Sequence, residues 1–230
     1  MSSLTLGGLL AGARAAAIVG SGGGAFFDRF AAEGPEAADG APNPLDRFTA
    51  RVAAAASAAA LAPLGVSHTV YFPFDWAEPI QSGTLKGFPN PPAMVRGEQS
   101  SPAPHAFIPF QRLGRAVGLG GPGPLGLQIH PVYGPWWAYR ALVVVDRALP
   151  ARSPIGDGCA GCDAPCVGAC PAHAVARAGF DVAACHARRR VAEPCRLSCA
   201  ARIACIRGPA HRYSDEELAF HMAASMPRRA

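Results

Sequence analysis

The sequence predicts an α+β protein in which a mixed sheet with flanking helices precedes a module rich in cysteine. Half of the 230 residues are hydrophobic, so the chain can bury a core of its own. Helix and strand patterns mix without a repeat through residues 1–150, and all eight cysteines lie between Cys159 and Cys205. We therefore predict a body over residues 1–150, a metal-binding module over residues 151–213, and a C-terminal helix within residues 214–230 that packs on the body.

The body begins with a short helix and a strand near Ala15–Val19, which ends at the glycine-rich turn Gly20–Gly24. This turn lacks the Gly-Lys-Ser/Thr of a P-loop, so a tight turn is favoured over a phosphate site. Asn43-Pro44 opens a long alanine-rich helix, because proline suits the first helical turn. The helix is expected to end before Pro63.

The remaining elements follow from local patterns. Phe110–Ala116 is expected to form a short helix, and Ser214 to Glu217 form a capping box that opens the final helix. Residues 73–109 are rich in proline and glycine, which predicts a long ordered loop or lid. Residues 130–137 have the length of a hairpin connection. Strand patterns of β-branched and aromatic residues occupy Val66–Phe72, Leu125–His130 and Ala138–Asp146.

Composition argues against several classes of function. The net charge is +5, but no basic run is interleaved with aromatic residues, so nucleic-acid binding is not expected. No apolar run reaches membrane-spanning length, and residues 1–20 lack the charged start of a secretory signal, which predicts a cytoplasmic protein without a membrane partner. The sequence contains neither a Gly-x-Ser-x-Gly elbow nor a His-Glu-x-x-His motif, so hydrolase chemistry has no support.

The spacing of the cysteines indicates iron–sulfur ligation. Closely spaced cysteines let backbone amides wrap one cubane, and a proline after the last of them turns the chain. The spacing before Cys166 is one residue longer than in the standard bacterial run. The first run is Cys159-x2-Cys162-x3-Cys166-x3-Cys170-Pro171, and the looser second set is Cys185, Cys195, Cys199 and Cys205.

Eight cysteines divide into two sets of four, which predicts two [4Fe–4S] clusters. In two-cluster ferredoxins the fourth cysteine of such a run binds the other cluster. Three alternatives stay open: a Cys₄ zinc site, although only one Cys-x2-Cys pair is present, disulfides, and one cluster beside four unligated cysteines. By the ferredoxin logic, one cluster takes Cys159, Cys162, Cys166 and Cys205, and the other takes Cys170, Cys185, Cys195 and Cys199.

Arginine is dense around the cysteines. A cubane held by four thiolates carries net negative charge, so nearby guanidinium groups would stabilise it and raise its reduction potential. A solvated basic face is the alternative interpretation, and in either case the basic rim could dock an acidic electron donor. These residues are Arg188, Arg189, Arg190, Arg196, Arg202, Arg207 and Arg212.

Two segments resemble known families. The cysteine run, a helix expected at Ala172–Arg177, and Phe180-Asp181-Val182 leading to Cys185 resemble the ferredoxin-like module of the epoxyqueuosine reductase family. The segment from Leu127 to Val144 resembles the His-Pro-x-x-Gly-x-Trp segment of the cobalamin-processing chaperone family, the protein defective in combined methylmalonic aciduria and homocystinuria. Weaker similarity to that chaperone extends over Ala17-Ile18-Val19, Phe26–Phe30 and Arg212–Glu217.

The resemblance implies a nitroreductase-like body that binds a cobalamin-type corrinoid, base-off, near the clusters, with a flavin less favoured. A flavodoxin- or ferredoxin-type donor protein would supply electrons, and the corrinoid or its substrate would receive them. A ferredoxin-like carrier without a corrinoid is the first alternative, and a structural zinc-binding protein is the second. The implied pocket is lined by His130, Tyr133, Gly134, Trp136, Trp137 and Arg140.

The sequence also departs from both families. Epoxyqueuosine reductases use a catalytic aspartate upstream of a glycine-rich turn, whereas the stretch near Pro104-His105-Ala106 has none and Asp75 lies too far upstream. The processing chaperone, in turn, lacks the clusters. The chain therefore resembles a third branch of the superfamily. Whether it is a cobalamin-dependent or cobalamin-reducing oxidoreductase stays open, and no residue is assigned a catalytic role.

Overall fold

The computed structural model describes residues 12–73, 80–81 and 108–226. Helices and strands are mixed in this part of the chain, which confirms the α+β class. The described residues form two compact units. The sheet unit comprises residues 12–21, 29–73, 80–81, 108–110 and 138–152, and the cysteine unit comprises residues 22–28, 111–137 and 153–226. Residues 22–28 and 111–137, which the sequence patterns assign to the body, thus belong to the cysteine unit.

Most predicted elements of the body are present, with boundaries shifted by a few residues. The strands are β1 (Ala15–Gly22), β2 (His68–Tyr71), β3 (Ile80–Gln81), β4 (Gly121–Pro122), β5 (Gln128–Ile129), β6 (Trp137–Val145), β7 (Val175–Ala176) and β8 (Gly179–Phe180). The helices are α1 (Ala25–Glu33), α2 (Pro44–Leu61), α3 (Phe110–Ala116), α4 (Pro165–Ala169), α5 (Val182–Val191), α6 (Glu193–Leu197), α7 (Ala200–Ile203) and α8 (Asp215–Ala224).

A four-stranded sheet with the order β1-β6-β2-β3 forms the sheet unit. β2 runs antiparallel to β6, and Val70 lies opposite Val143. The central strand β6 is buried from Arg140 to Val145, as its run of branched apolar residues predicts. Ala50 of α2 and Val70 are fully buried in the same cluster, so the alanine-rich face of α2 covers the sheet. The predicted helix begins at Pro44, after Asn43 adopts a left-handed conformation as its N-cap.

Two local predictions are wrong. The expected strand Leu125–His130 is reduced to β5, which pairs with β4, and β6 lies in another sheet, so residues 130–137 do not connect a hairpin. The expected helix at Ala172–Arg177 is instead the β7–β8 hairpin, in which Val175 lies opposite Phe180. Burial of Val175 in the core of the cysteine unit favours the extended hairpin over a local helix.

Some predictions fall outside the described residues. These include the N-terminal helix, Asp75, the stretch Pro104-His105-Ala106, and most of the loop over residues 73–109. Along the described ranges, no helix combines the length and apolar character needed to cross a membrane.

Candidate metal centre

The first cysteine loop is shaped by hydrogen bonds of its own backbone. Asp157 Oδ1 accepts the amide proton of Cys159 at an N···O distance of 2.8 Å, and the amide of Cys162 donates to the carbonyl oxygen of Cys159 at 3.1 Å. Ala164, at φ +57°, directs its amide to the Cys162 sulfur at 3.3 Å. The loop therefore already places a backbone N–H against a thiol, which is the kind of hydrogen bond that tunes cluster sulfurs.

Four thiols surround one cavity of about 180 Å³ in the cysteine unit. Three come from the first loop and from α4, and the fourth, Cys205, follows α7. Leu125 and Ile129 contribute apolar surface to the same cavity, and Arg177 and Arg207 also line it. We call these four thiols group one: Cys159, Cys162, Cys166 and Cys205.

The return of the chain to group one is fixed by close backbone contacts. Arg207 donates from Nε to the carbonyl oxygen of Gly158 (2.8 Å) and from Nη2 to that of Ala160 (2.9 Å). Gly208 adopts φ +64° and lies so near Tyr133 that a Cβ would come within 2.3 Å of the Tyr133 carbonyl. Only glycine fits there, so Gly208 lets the segment after Cys205 pack against Tyr133, while Arg207 ties the same segment to the first loop.

The other four cysteines form a second group. Cys170 is the C-cap of α4, Cys185 and Cys195 lie in α5 and α6, and Cys199 is the N-cap of α7. Asp181 Oδ1 caps α5 by accepting the amide proton of Ala184 at 2.9 Å. The Cys185 thiol interacts electrostatically with the other three thiols of this set. We call the set group two: Cys170, Cys185, Cys195 and Cys199.

Five of these thiols, drawn from both groups, have a pKa above that of free cysteine: Cys159, Cys166, Cys185, Cys199 and Cys205. Burial, the Asp157 carboxylate and the other group-one thiols raise the pKa of Cys159 to about 11. Burial is also the main cause that raises the pKa of Cys185 and of Cys199. Without a metal these thiols hold their protons at neutral pH, and binding of a metal cation would displace them.

Arginines reach both groups from inside the unit. Arg207 and Arg212 lower the pKa of Cys205, and Arg189 lowers that of Cys185, against the larger effect of burial. Arg189 is itself only 4% exposed and donates to the Met222 carbonyl and the Ser225 hydroxyl. Arg189, Arg207 and Arg212 therefore lie where their charges act on the thiols, as the predicted stabilisation of a cluster requires. The other arginines of α5 and α6, Arg188, Arg190 and Arg196, are exposed.

Arg202 links group two to an aromatic cluster. Its guanidinium lies 4.8 Å from the ring centroid of Trp136 and 4.7 Å from that of Tyr213, and Nη2 donates to the Pro135 carbonyl at 2.6 Å. Burial lowers the pKa of Arg202, although the nearby Tyr213 and Cys199 oppose this effect. Since an arginine pKa starts above 12, the side chain stays charged and places a positive charge beside Cys199.

The donor set fits sulfur-bound iron in the composition of its ligands. Among the described residues, no group of three or more His, Cys, Asp or Glu side chains lies close enough together to hold a single metal ion. Group one instead surrounds a cavity, with four thiols as its donors. Four thiols, an amide directed at a sulfur and nearby guanidinium groups are the features expected of a cluster site.

The residues predicted to line a corrinoid pocket are only partly brought together. The His130 ring lies 4.7 Å from the Tyr133 ring and 5.3 Å from the Trp137 ring, between centroids. His130 Nδ1 accepts the amide proton of Tyr133 at 3.2 Å, and burial, followed by the charge of His211, lowers the pKa of His130. Trp137 Nε1 donates to the Gln128 carbonyl at 2.9 Å. These three rings form a half-buried aromatic cluster.

The other predicted pocket residues lie elsewhere. Trp136 is 1% exposed and packs against Tyr213 and Leu218, so it presents no surface to a ligand. Gly134, at φ +61°, lies against the Arg207 backbone, where a Cβ would not fit. Arg140 belongs to the sheet unit, where it is 8% exposed and donates from Nε to Ser21 Oγ at 2.8 Å.

Sequence reasoning missed several residues that shape the site. Asp157 orients Cys159 by accepting its amide proton. Gly158 lies so close to Ile129 that a Cβ at position 158 would come within 2.7 Å of Ile129. An aspartate two residues before Cys159 is typical of an Asx turn, so the sequence could have predicted the hydrogen bond from the Cys159 amide to Asp157. The contact with Ile129 joins segments distant in sequence, so local patterns carry no signal for it.

In comparisons with known proteins, no family model, no curated protein and no solved structure matches this chain.

Proposed function

We propose that this chain is an electron-transfer protein that holds two [4Fe–4S] clusters in its cysteine unit. The observation that carries the proposal is the interleaved grouping of the thiols. Cys170 leaves the first run to join group two, and Cys205 leaves the second set to join group one. This exchange is the connectivity of two-cluster ferredoxins, in which the fourth cysteine of each run binds the other cluster.

Group one and group two would each hold one cluster through four thiolates. A bound [4Fe–4S] cluster supplies one-electron transfer. The protein contributes deprotonated thiols, the Ala164 amide directed at Cys162, and a largely apolar lining. Arg207 beside group one and Arg189 and Arg202 beside group two would offset the negative charge and raise the reduction potentials.

The nitroreductase-like fold, the corrinoid acceptor and the cytoplasmic location are finer parts of the proposal. The corrinoid is supported by the resemblance of the His130–Arg140 segment to a cobalamin-binding segment, and the half-buried rings of His130, Tyr133 and Trp137 offer flat apolar surface. The cytoplasm is supported by eight free cysteines, since reducing compartments preserve thiols. In this proposal the chain passes electrons to a cobalamin-type corrinoid or to its substrate.

A reductive titration of the anaerobically purified chain tests the proposal. Two clusters predict a visible absorption band that bleaches with about two electrons per chain, since each cubane accepts one. Hydroxocobalamin is then added, and a spectrum of the base-off form supports the corrinoid acceptor. Trp137→Leu, which removes one of the three half-buried rings, should weaken this binding at unchanged iron content. A colourless, redox-inactive chain would reject the iron–sulfur function, whereas two electrons without a cobalamin shift would leave a ferredoxin-like carrier.

A further inference from the structure

The solvent side of α5 and α6 is both basic and apolar. These two helices pack against each other in the cysteine unit and carry Cys185 and Cys195 of group two. Val191 and Leu197 are 79% and 50% exposed, although apolar side chains of this size are usually buried. We call the following exposed residues the α5–α6 surface: Arg188, Arg190, Val191, Arg196 and Leu197.

The charge of this surface is positive. Glu193 is the one exposed carboxylate within α5 and α6, against three exposed arginines, and Arg189 is buried. Asp181 lies before the other end of α5, where its carboxylate serves as the helix cap. Arginine charges around exposed apolar side chains are typical of a site where a protein of opposite charge docks transiently.

The solvent side of group one differs in charge. The loop that carries Cys159 and Cys162 exposes two carboxylates, Asp157 and Asp163. Arg177 and Arg207 are also present there and donate to backbone carbonyls, Arg177 to that of Asp163 at 2.7 Å and Arg207 to that of Gly158. At group one, the two carboxylates offset part of the positive charge of Arg177, Arg207 and Arg212. At the α5–α6 surface, three exposed arginines outnumber one carboxylate, so an acidic partner is attracted more strongly to group two.

We infer that the α5–α6 surface is the docking site of an acidic one-electron carrier protein, and that group two is the point where electrons enter. The inference rests on the proposed function and specifies its partner and direction. One electron leaves the reduced carrier and one electron enters the cluster held by group two. No bond is formed or broken in this chain.

The test uses the full chain with both clusters and a reduced acidic flavodoxin as the probe. The triple variant R188E/R190E/R196E reverses the charge of the surface, and R112E/R115E/R152E makes the same change at exposed arginines outside these helices. Stopped-flow absorbance gives the rate of cluster reduction at several salt concentrations. We expect the first variant to react at least about tenfold more slowly at low salt, with the difference closing as salt screens the charges.

Equal rates for the unmodified chain and the first variant, or an equal loss in the control, would overturn the inference. Iron content and reduction potentials are measured in each variant, so that a loss of clusters is not read as a loss of docking. If the charge reversal lowers iron content, the neutral set R188Q/R190Q/R196Q is compared with R112Q/R115Q/R152Q by the same criteria. A chain without iron would instead reject the proposed function itself.

Discussion

Arg207 donates from Nε to the carbonyl oxygen of Gly158 at 2.8 Å, so the segment after the last cysteine is tied to the residue before the first. A second bond from Nη2 reaches Ala160 at 2.9 Å. The two acceptor carbonyls belong to the residues on either side of Cys159. Arg207 thereby holds Cys205 and Cys159 on the same cavity, and Arg207 is itself one of the residues that line it.

The first prediction concerns this arginine. Arg207→Ala removes two hydrogen bonds, each worth roughly 1.5–3 kcal/mol when one partner is charged. We expect the variant to lose the group-one cluster and keep that of group two, so iron per chain falls by about half. Arg188→Ala, at an exposed position of α5, is the control and should retain full iron. Full iron in Arg207→Ala would show that the bonds do not hold the site.

The second prediction tests how the cysteines are grouped. Substitutions within one group should not add, because either of them already removes the same cluster. We expect C166S/C205S to lose no more iron than C205S alone, whereas C195S/C205S should lose nearly all of it. Iron quantitation after anaerobic purification gives the result. Complete loss in C166S/C205S would mean that Cys166 and Cys205 serve different clusters.

The third prediction compares two glycines with the same backbone conformation. Gly65 has φ +62° and open space around it, whereas Gly208 has φ +64° and lies against the Tyr133 backbone. Gly65→Ala should cost about 1–2 kcal/mol, the strain of a left-handed residue. Gly208→Ala adds a steric clash, so its cost should reach about 3 kcal/mol or more. Urea unfolding of both variants measures the difference, and equal costs would contradict the close contact.

The fourth prediction is a pH dependence in the sheet unit. Arg51 binds Glu36 at 2.6 and 2.9 Å and lowers the pKa of Glu36 below its usual value of 4.5. Because the pKa of Glu36 is lower in the folded state than its value of 4.5 in the unfolded state, ionised Glu36 stabilises the fold above pH 4.5. This stabilisation is lost as the pH falls through the pKa of the folded state. Glu36→Gln should therefore lower the melting temperature near pH 7 but have little effect at about pH 2.

The control for this prediction is the exposed pair of Arg29 and Glu33, which join at 2.9 Å with side chains 69% and 60% exposed. Glu33→Gln should change the melting temperature very little at either pH, because exposed ion pairs contribute little to stability. An equal effect of both substitutions near pH 7 would show that the burial of Glu36 adds nothing to its pairing with Arg51.

Local patterns predicted the body of the fold better than the site. Pro44 and the run of branched apolar residues in β6 act within a few residues of the chain, so both elements appear where the sequence places them. The β7–β8 hairpin was missed because burial of Val175 in the core of the cysteine unit outweighs local helical preference. The ligand set of eight cysteines could be proposed from spacing, whereas the contacts of Arg207 and Gly208 depend on the tertiary fold.

The predicted corrinoid pocket illustrates the same limit. Adjacent aromatic residues in sequence gave no means of telling which ring faces outward. The structure encloses Trp136 beneath Arg202 and Tyr213, while Trp137 stays half-buried beside His130. Trp136 is the buried tryptophan because Leu218 of α8 and Tyr213, just before α8, pack against it. The residues next to Trp136 and Trp137 in sequence do not carry this information.

Quantitation of iron, acid-labile sulfide and zinc in the anaerobically purified chain tests the central claim most directly. Two [4Fe–4S] clusters predict about eight irons and about eight sulfides per chain, with no stoichiometric zinc. About four irons and four sulfides would leave one group without its cluster. Zinc bound in place of iron, or eight cysteines joined in disulfides with no metal, would contradict the iron–sulfur account.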